Sequence, residues 1–290
     1  MIPPMPEHPA LLPPDVRLAV LGDPIAHSLS PVLQNAGLAA RGFPFRYGRL
    51  QVAEAEVGQV FQQLRRTCLG WNVTLPLKRA ALNLVDEADH EARRLGAVNT
   101  VAVRDGGLIG TNTDGRGLHL ALDEAFGAGW ERKRILILGA GGGAGSAAAR
   151  YLAAIGVPCL LLANRTPKKL LGLEADLARH THVETYGWQH LETAFAGAEL
   201  IVNATSVGLN GAPLDWDSGW LRPDHTLFDL VYRAEPTPVV AWARARGIPA
   251  HDGLAMLFHQ GVRAFSWWFG DPLPAVAMRR ALYAAAGRGQ

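Results

Sequence analysis

The sequence predicts an α/β fold with two domains, each built around a sheet that is flanked by helices. Short apolar runs of strand length alternate with amphipathic stretches of helical length along almost all of the 290 residues. This alternation restarts near residue 134, where a buried strand leads directly into a glycine-rich turn. Because 49% of the residues are hydrophobic, the chain can bury one large core or two medium cores.

The first half of the chain is expected to form one sheet with helices packed around it. Strands are predicted at residues 17–22, 45–52, 69–73, 98–103 and 108–112, the last two as a hairpin. Helical spacing predicts helices at residues 30–40, 54–66 and 114–126, and a further helix that begins at Pro76. Ser30 is the expected N-cap of its helix, and Pro31 and Pro76 suit a first helical turn because no N–H is needed there.

The second half repeats the alternation and predicts a parallel, doubly wound sheet. Strands are expected at residues 134–139, 157–164, 183–187, 199–205 and 225–232. Helices are expected at residues 142–155, 166–179, 238–246, 254–269 and 274–285. We expect residues 118–252 to form one domain, inserted between residues 1–117 and 253–290 of the other.

The turn after the strand at residues 134–139 carries a dinucleotide-binding pattern. It reads Gly139-Ala140-Gly141-Gly142-Gly143-Ala144, the G-x-G-x-x-A form of the fingerprint. Gly139 permits a tight turn, Gly141 lets the backbone approach a pyrophosphate, and Ala144 keeps the following helix close to the strand. The first amides of that helix then face the anion. Residues 118–252 are therefore predicted to be a Rossmann-type cofactor domain, and the remainder a substrate-binding domain.

The end of the next strand indicates which dinucleotide is bound. An NAD site usually has an acidic residue there, which binds the ribose 2′-hydroxyl. Here the positions read Asn164-Arg165-Thr166, and Lys168 and Lys169 follow. A carboxylate would repel a 2′-phosphate, whereas a guanidinium binds it bidentately. We therefore predict NADP rather than NAD as the cofactor, and the alternative is that Arg165 only caps a surface helix.

Composition argues against several other classes of protein. The net charge is +2 without a long basic patch, so nucleic acid is not an expected partner. No apolar run reaches the length of a membrane span, and the proline-rich residues 1–14 lack a signal-peptide pattern, so a flexible leader and a cytoplasmic location are expected. Cys68 and Cys159 are expected to be buried free thiols. The ten histidines lack metal-ligand spacing, so no metal is expected.

A polar cluster follows the strand at residues 69–73. Asn72, Thr74 and Lys78 lie in a strand-to-helix turn, so their side chains can converge at the carboxyl end of the strand, where open α/β sheets bind ligands. The alternative is a capped helix with a solvated lysine. Four further clusters lie outside the glycine turn, at residues 22–31 (GDPIAHSLSP), 96–100 (GAVNT), 112–115 (NTDG) and 252–260 (DGLAMLFHQ).

Together with the glycine turn, these clusters resemble the shikimate dehydrogenase family in order and approximate spacing, over nearly the whole chain after the leader. The resemblance implies an enzyme that reduces 3-dehydroshikimate to shikimate with NADPH. It also implies that Lys78 and Asp114 are the catalytic pair. The ammonium would stabilise the negative charge that hydride addition builds on the ketone oxygen and deliver a proton, while the carboxylate orients the lysine. For Asp114 the alternative is an N-cap.

The resemblance also implies which residues bind the two ligands. The substrate carboxylate would be held at the start of a helix and the ring hydroxyls by amides and a hydroxyl, with Ser28, Ser30 and Tyr232 in the first group and Thr74, Asn99 and Gln260 in the second. On the cofactor side it implies roles for Thr205, Gly253 and Met256, and a lid at residues 209–217. The alternatives are an N-cap for Ser30, a turn residue for Asn99, a solvated helix position for Gln260, core packing for Met256 and an ordinary surface loop for the lid.

Two other functions remain open at this point. The first is a paralogue that acts on quinate or another cyclohexane acid, and the second is a non-catalytic module that senses NADP. The presence of Lys78 and Asp114 argues against the second. The chain departs from the family pattern at Gln34, where the family commonly has histidine, and its glycine turn is richer in glycine than usual. A small molecule is the expected partner, and the protein could be a monomer or a homodimer.

Overall fold

Two six-stranded sheets organise the part of the chain that the computed structural model describes, residues 11–207, 214 and 216–288. The first sheet has the strand order β2-β1-β3-β5-β6-β4. Its strands are β1 (Val16–Gly22), β2 (Arg46–Gln51), β3 (Gly70–Val73), β4 (Glu87–Ala88), β5 (Thr100–Arg104) and β6 (Gly107–Thr111). β5 runs antiparallel to β3 and β6, as the predicted hairpin requires, whereas β1, β2, β3, β4 and β6 are mutually parallel.

Helices cover both faces of this first sheet. They are α1 (Ser30–Ala40), α2 (Val57–Thr67), α3 (Lys78–Leu84), α4 (His90–Leu95), α10 (Leu254–Phe269) and α11 (Ala275–Ala285). One face is filled by a core around Phe61 and Trp71, which meet edge to face. The other is filled by a core to which α1, α10 and α11 contribute Leu33, Phe265 and Met278. The C-terminal helices therefore complete the packing of the first sheet.

The second sheet is parallel throughout, with the order β12-β11-β10-β7-β8-β9. Its strands are β7 (Arg134–Leu138), β8 (Cys159–Asn164), β9 (His182–Gly187), β10 (Leu200–Asn203), β11 (Thr226–Asp229) and β12 (Ala250–His251), and its helices are α6 (Gly143–Ala154), α7 (Leu171–Leu177), α8 (Leu191–Gly197) and α9 (Pro238–Arg244). This order is that of a Rossmann domain, in which the direction of winding reverses between β7 and β10. Ligands of such sheets bind at this reversal.

Two helices join the sheets. Helix α5 (Asp114–Phe126) runs from the first sheet to the second, and Leu118 and Leu122 pack into the core of the second sheet. Helix α10 contacts both cores, since Phe258 lies in the core of the first sheet while Met256 packs against that of the second. The expected boundary at residues 117 and 118 falls inside α5.

The structure differs from the predicted elements in its shortest helices and strands. It adds α4, α8, β4 and β12, which are too short for apolar periodicity to be detected. Pro76 is not in a helix, because it lies within a turn and α3 begins at Lys78. Ser30 is the first helical residue rather than the N-cap, which is Leu29.

Further features concern the cysteines and the chain segments outside the sheets. Cys68 and Cys159 are buried free thiols, as predicted. Within residues 11–207, 214 and 216–288, no helix has the length and apolar character needed to span a bilayer. Most of the expected leader and of the expected lid, residues 1–10, 209–213 and 215, lies outside the described residues.

Candidate active site

The topology of the first sheet brings most of the expected substrate-binding residues to one edge. β1, β3 and β6 are parallel, so the segments that follow them meet at their carboxyl ends. Ser28 follows β1, Thr74 and Lys78 follow β3, and Asp114 follows β6. Because β5 is antiparallel, Asn99 reaches the same edge from the residue before that strand. Residues spread over 87 positions of sequence therefore share one surface of the fold, from Ser28 to Asp114.

Lys78 and Asp114 form an ion pair at this edge. The Lys78 Nζ donates to the Asp114 Oδ2 at 2.7 Å, and the two side chains are only 19% and 13% exposed. Both residues stand at the first position of a helix, α3 for Lys78 and α5 for Asp114. The Asp114 carboxylate can therefore fix the direction of the Lys78 ammonium, whose other N–H groups then point away from the carboxylate.

Asn112, for which the sequence predicts no separate role, fixes the position of Asp114. The Asn112 Oδ1 accepts from the Asp114 N–H at 2.9 Å, and the Asn112 Nδ2 donates to the Ala97 carbonyl at 2.9 Å. Because Asn112 satisfies that backbone group, the Asp114 carboxylate is left to pair with Lys78. Asp114 is therefore not the N-cap that was the alternative, since the N-cap position of α5 is occupied by Thr113.

A buried hydrogen-bond network connects Asn99 with Gln260 through Thr113. The Asn99 Nδ2 donates to the Thr113 hydroxyl at 3.0 Å, and the Asn99 Oδ1 accepts from the Thr113 N–H at 2.9 Å. The Thr113 hydroxyl also lies 3.4 Å from the Gln260 Oε1. Asn99 is only 2% exposed, so it is a buried network residue rather than a plain turn residue. Thr113 was missed, although the run Asn112-Thr113-Asp114 contains the signal.

Ser28, Ser30 and Tyr232 lie together at the start of α1. The Ser28 hydroxyl accepts from the Ser30 N–H at 3.3 Å, and the Tyr232 hydroxyl accepts from the Leu29 N–H at 3.4 Å. Burial raises the pKa of Tyr232, so this phenol stays protonated and can donate. Tyr232 lies three residues beyond the end of β11, rather than within that strand as predicted.

Asn72 does not join this group, which corrects the expectation that Asn72, Thr74 and Lys78 converge. The Asn72 Oδ1 accepts from the Tyr47 hydroxyl at 2.7 Å, and its Nδ2 donates to the Asn99 carbonyl at 3.1 Å and to the Thr100 hydroxyl at 3.0 Å. Both ends of the buried amide are thus used inside the sheet. Thr74 is half-buried, and its N–H donates to the Leu21 carbonyl, which fixes the turn.

Gln34, the departure from the family pattern, ties α1 to α10. Its Nε2 donates to the Gly261 carbonyl at 2.9 Å, and the side chain is 1% exposed. Gly261 itself has no room for a side chain, since a Cβ there would lie 2.2 Å from the Leu33 side chain. Gln34 therefore supports the segment of α10 that carries Gln260, and does not lie on an open surface.

The glycine turn lies at the winding reversal of the second sheet. Gly139 has φ +82°, which side chains rarely adopt, and a Cβ there would lie 2.9 Å from Thr205 after β10. Gly145, the residue after Ala144, also lies close to the turn, because a Cβ there would lie 2.4 Å from the Gly139 carbonyl. Gly142 is the N-cap of α6 and has no side chain that could accept from the first amides of the helix. These amides are therefore available to an anion.

The residues after β8 extend this surface. The Asn164 Oδ1 accepts from the Gly141 N–H at 3.3 Å, and the Asn164 Nδ2 donates to the Thr166 carbonyl at 2.8 Å, so Asn164 braces the glycine turn. A Cβ at Gly141 would lie 2.8 Å from the Lys169 Cβ. Arg165 is exposed and makes no ion pair within the described part of the chain. An uncompensated guanidinium beside the turn fits a phosphate-bearing nucleotide.

The two sheets approach each other across this surface. Leu75, between Thr74 and Lys78, is close enough to the glycine turn that a Cβ at Gly143 would lie 3.2 Å from its Cδ2. Gly253 is the N-cap of α10 and packs against the segment that follows β11, with its N–H donating to the Val231 carbonyl at 3.0 Å. Met256 follows on α10 and is half-buried against the second core, which matches the core-packing alternative. The ion pair of Lys78 with Asp114 and the glycine turn thus flank one cleft between the two sheets.

Three family models match the chain. They are described as the shikimate dehydrogenase substrate binding domain over residues 20–101, shikimate / quinate 5-dehydrogenase over residues 121–209, and the shikimate 5′-dehydrogenase C-terminal domain over residues 253–283. A relative named shikimate dehydrogenase (NADP(+)) from Rubrobacter xylanophilus is 43% identical over 270 residues, which cover 91% of this chain and 94% of that protein.

Solved structures of similar proteins share the whole fold. Shikimate 5-dehydrogenase from Thermus thermophilus, in complex with NADP(H) and shikimate, is 37% identical with a TM-score of 0.82 and covers 93% of this chain and 99% of its own. Quinate dehydrogenase from Corynebacterium glutamicum, in complex with NAD, is 29% identical with a TM-score of 0.84 and the same coverages, 93% and 99%. The fold is therefore shared by proteins of both specificities.

Proposed function

The chain belongs to the shikimate dehydrogenase family, and we propose that it reduces 3-dehydroshikimate to shikimate with NADPH, reversibly, in the synthesis of aromatic amino-acid precursors. The observation that carries this proposal is the ion pair of Lys78 with Asp114, 2.7 Å apart at the edge of the first sheet that faces the glycine turn. An NADP-dependent oxidoreductase needs a proton donor beside the cofactor domain, and this pair supplies one.

Lys78 is the proposed proton donor for the substrate ketone. NADPH, when bound, supplies the hydride. Negative charge develops on the carbonyl oxygen, and the Lys78 ammonium stabilises that charge and transfers a proton to the oxygen. In the reverse direction, the neutral amine accepts the proton of the alcohol. The Asp114 carboxylate, 2.7 Å from the Nζ, keeps the ammonium directed into the cleft and can accept a hydrogen bond from a substrate hydroxyl.

The hydroxyls of Ser28, Ser30 and Tyr232 are the proposed site for the substrate carboxylate. Three hydroxyl donors at the start of a helix suit an anion, because the positive end of the helix dipole lies beside them. Thr74, Asn99 and Gln260 are the proposed partners of the ring hydroxyls. Since Asn99 and Gln260 already share Thr113, binding there has to exchange or extend hydrogen bonds of a preformed network.

NADP is the proposed cofactor, held by residues of the second sheet. The pyrophosphate would lie against Gly139, Ala140, Gly141, Gly142, Gly143 and Ala144, where the start of α6 is uncapped. The 2′-phosphate would be bound by Arg165, assisted by Asn164, Thr166 and Lys169. Thr205, Gly253 and Met256 are proposed to line the nicotinamide side, and their positions beside the turn and at the start of α10 support this.

Organisation, assembly and location are also part of the proposal. We infer a cofactor domain at residues 118–252 and a substrate domain at residues 1–117 and 253–290, because each sheet has its own core. The protein is proposed to act in the cytoplasm on a small molecule, as a monomer or a homodimer. The likeness to quinate dehydrogenase supports activity on quinate as a second candidate.

The forward reaction tests the proposal. Purified protein is incubated with 3-dehydroshikimate and NADPH, and the products are identified by nuclear magnetic resonance. Shikimate formed in equal amount to the NADPH consumed supports the assignment. If NADPH binds and neither compound is consumed, the protein is a cofactor-sensing module or acts on another ring acid, and the proposed function is wrong.

A further inference from the structure

A second group of reactive side chains lies at the opposite end of the cofactor sheet from the glycine turn. Arg134, Cys159 and His182 are register partners on β7, β8 and β9, close to the amino ends of these strands. Glu184 follows His182 by two residues and therefore points to the same face of β9. Cys159 is buried, Glu184 is half-buried and His182 is exposed. The thiol, imidazole and carboxylate of this group lie within 4.8 Å of one another.

Two separations in this group are close to those between ligands of a single tetrahedral ion. Zinc binds sulfur at about 2.3 Å and nitrogen or oxygen at about 2.0 Å, so tetrahedral geometry places N and O about 3.3 Å apart and S and O about 3.5 Å apart. The His182 Nε2 lies 3.3 Å from the Glu184 Oε1, and the Cys159 Sγ lies 3.8 Å from the same oxygen. We propose that Cys159, His182 and Glu184 bind a divalent zinc-type cation, with water as the fourth ligand.

Two neighbours orient the Glu184 carboxylate as outer partners do in zinc sites. The Tyr186 hydroxyl donates to the Oε2 at 2.5 Å, and the Arg134 guanidinium donates to the Oε1 at 2.8 Å. A carboxylate oxygen has two lone pairs, so the Oε1 can accept from Arg134 and still bind an ion. With the thiolate and carboxylate negative and Arg134 positive, the group has a net charge of −1, which suits a divalent cation.

Binding of the cation also has to remove the thiol proton. Burial raises the pKa of Cys159, the Arg134 guanidinium opposes that rise, and the Glu184 carboxylate adds to it. A bound divalent cation deprotonates a coordinating thiol and so overcomes the remaining cost. In the structure the thiol already donates to Glu184, the group that would share the ion with it.

The proposed ion would stabilise the pairing of the edge strand β9 with β8 and would take no part in catalysis. β9 is the last strand of its sheet, and the proposed ion would bridge it to β8 one strand length away from the glycine turn. The expectation of no metal rests on helical histidine spacing. His182 and Glu184 are two residues apart, a spacing that brings side chains together only on a strand and that a helical criterion misses.

Cadmium is the probe for the test, because its thiolate bond absorbs in the ultraviolet. The full-length protein is freed of metal and titrated with Cd²⁺, and then with Zn²⁺ as competitor. Cys159→Ala and His182→Ala are the test variants. Their controls are Cys68→Ala, which removes the other buried thiol, and His180→Ala, which removes a nearby exposed histidine.

We expect one saturable cadmium–thiolate site in the unaltered protein and in both controls. Cys159→Ala should abolish the absorption, and His182→Ala should weaken binding at least tenfold, since the loss of even an outer partner costs about 10- to 100-fold. His182 is 65% exposed, so that variant keeps the fold even where the cysteine variant does not. The proposal is overturned if the absorption is absent, if it is lost with Cys68→Ala, or if His182→Ala leaves the affinity for Cd²⁺ unchanged.

Discussion

Replacing Lys78 by methionine removes the proposed proton donor while keeping the apolar stem of the side chain. The ammonium has two roles in the proposal, and each has a typical size. Proton transfer by a positioned group contributes about 10²- to 10⁴-fold, and charge stabilisation at one oxyanion position about 10²- to 10³-fold. One group performs both, so the factors do not multiply. We expect kcat to fall about 10³- to 10⁴-fold, or roughly 4–5.4 kcal/mol of barrier.

The structure also predicts that KM for the substrate changes little, by less than about threefold. A group that acts only in the chemical step affects kcat, whereas KM depends on the residues that bind the substrate before and during that step. Ser28, Ser30 and Tyr232 lie in a different segment from the ion pair and remain intact. The assay is steady-state oxidation of shikimate by NADP, followed at the near-ultraviolet absorbance of the reduced cofactor. Arg79→Ala, an exposed neighbour on α3, is the control and should keep normal turnover.

Two results would refute this reasoning. The first is a kcat for Lys78→Met within tenfold of the unaltered protein, because no proton donor of that importance could then have been lost. The second is an equal loss in Arg79→Ala, which would point to a general disturbance of α3. Because Asp114 is only 13% exposed, it loses a needed partner in the lysine variant, so thermal unfolding of both variants should be recorded alongside.

Three further predictions follow from single residues. Arg165→Ala should raise KM for NADP about 10- to 100-fold and leave that for NAD unchanged, because a hydrogen bond to a charged group is worth about 1.5–3 kcal/mol. Gly145→Ala should weaken cofactor binding and lower the free energy of unfolding by about 1–3 kcal/mol, since its Cβ would lie 2.4 Å from a backbone carbonyl. The control Gly172→Ala, in open space on α7, should stabilise the protein slightly. Glu124→Gln should destabilise the protein at pH 7, since Arg279 and His259 hold the pKa of Glu124 at about 2.

The pH dependence of the Glu124 variant follows from the direction of that shift. A carboxyl whose pKa falls from 4.5 to about 2 on folding adds stability above pH 4.5, and this stability is lost as the pH falls towards 2. Because Glu124 is 37% exposed, solvent screening reduces its contribution to roughly 1 kcal/mol. Urea unfolding at pH 7 and pH 3 measures it. A difference between the two proteins that grows on acidification would contradict the assignment.

The other two variants have equally specific counter-results. If Arg165→Ala raises KM for NAD as much as for NADP, the guanidinium supports the turn as a whole and does not bind the 2′-phosphate. If Gly145→Ala binds cofactor normally and melts like the unaltered protein, α6 has enough freedom to move away from Gly139. Melting curves and cofactor titrations of Gly145→Ala and Gly172→Ala decide this point.

The sequence predicted those elements whose apolar pattern or motif runs over many consecutive residues. Helices α1, α5 and α10 have the predicted bounds, β7 ends one residue earlier than predicted, and α6 is one residue shorter at each end. The short α4 and α8 were missed, because two turns or fewer contain too few apolar positions to establish a period. The start of the helix at Pro76 was wrong, because Pro76 lies in the preceding turn and α3 begins two residues later, at Lys78.

The candidate site was predictable in its residue types and less so in its contacts. Lys78 and Asp114 are 36 residues apart, and only the family resemblance paired them before the structure placed them 2.7 Å apart. The supporting roles of Asn112 and Thr113 depend on side-chain directions at the edge of the sheet, which sequence spacing does not encode. The same holds for Asn72, whose amide is used within the sheet.

The most direct measurement of the central claim is turnover with shikimate and quinate, each with NADP and with NAD. The account predicts that kcat/KM is highest for shikimate with NADP. NAD should be used poorly, because Arg165 stands where NAD enzymes have an acidic residue. Equal or greater kcat/KM for quinate, or for NAD, would contradict the account and place the protein with the quinate-oxidising relatives.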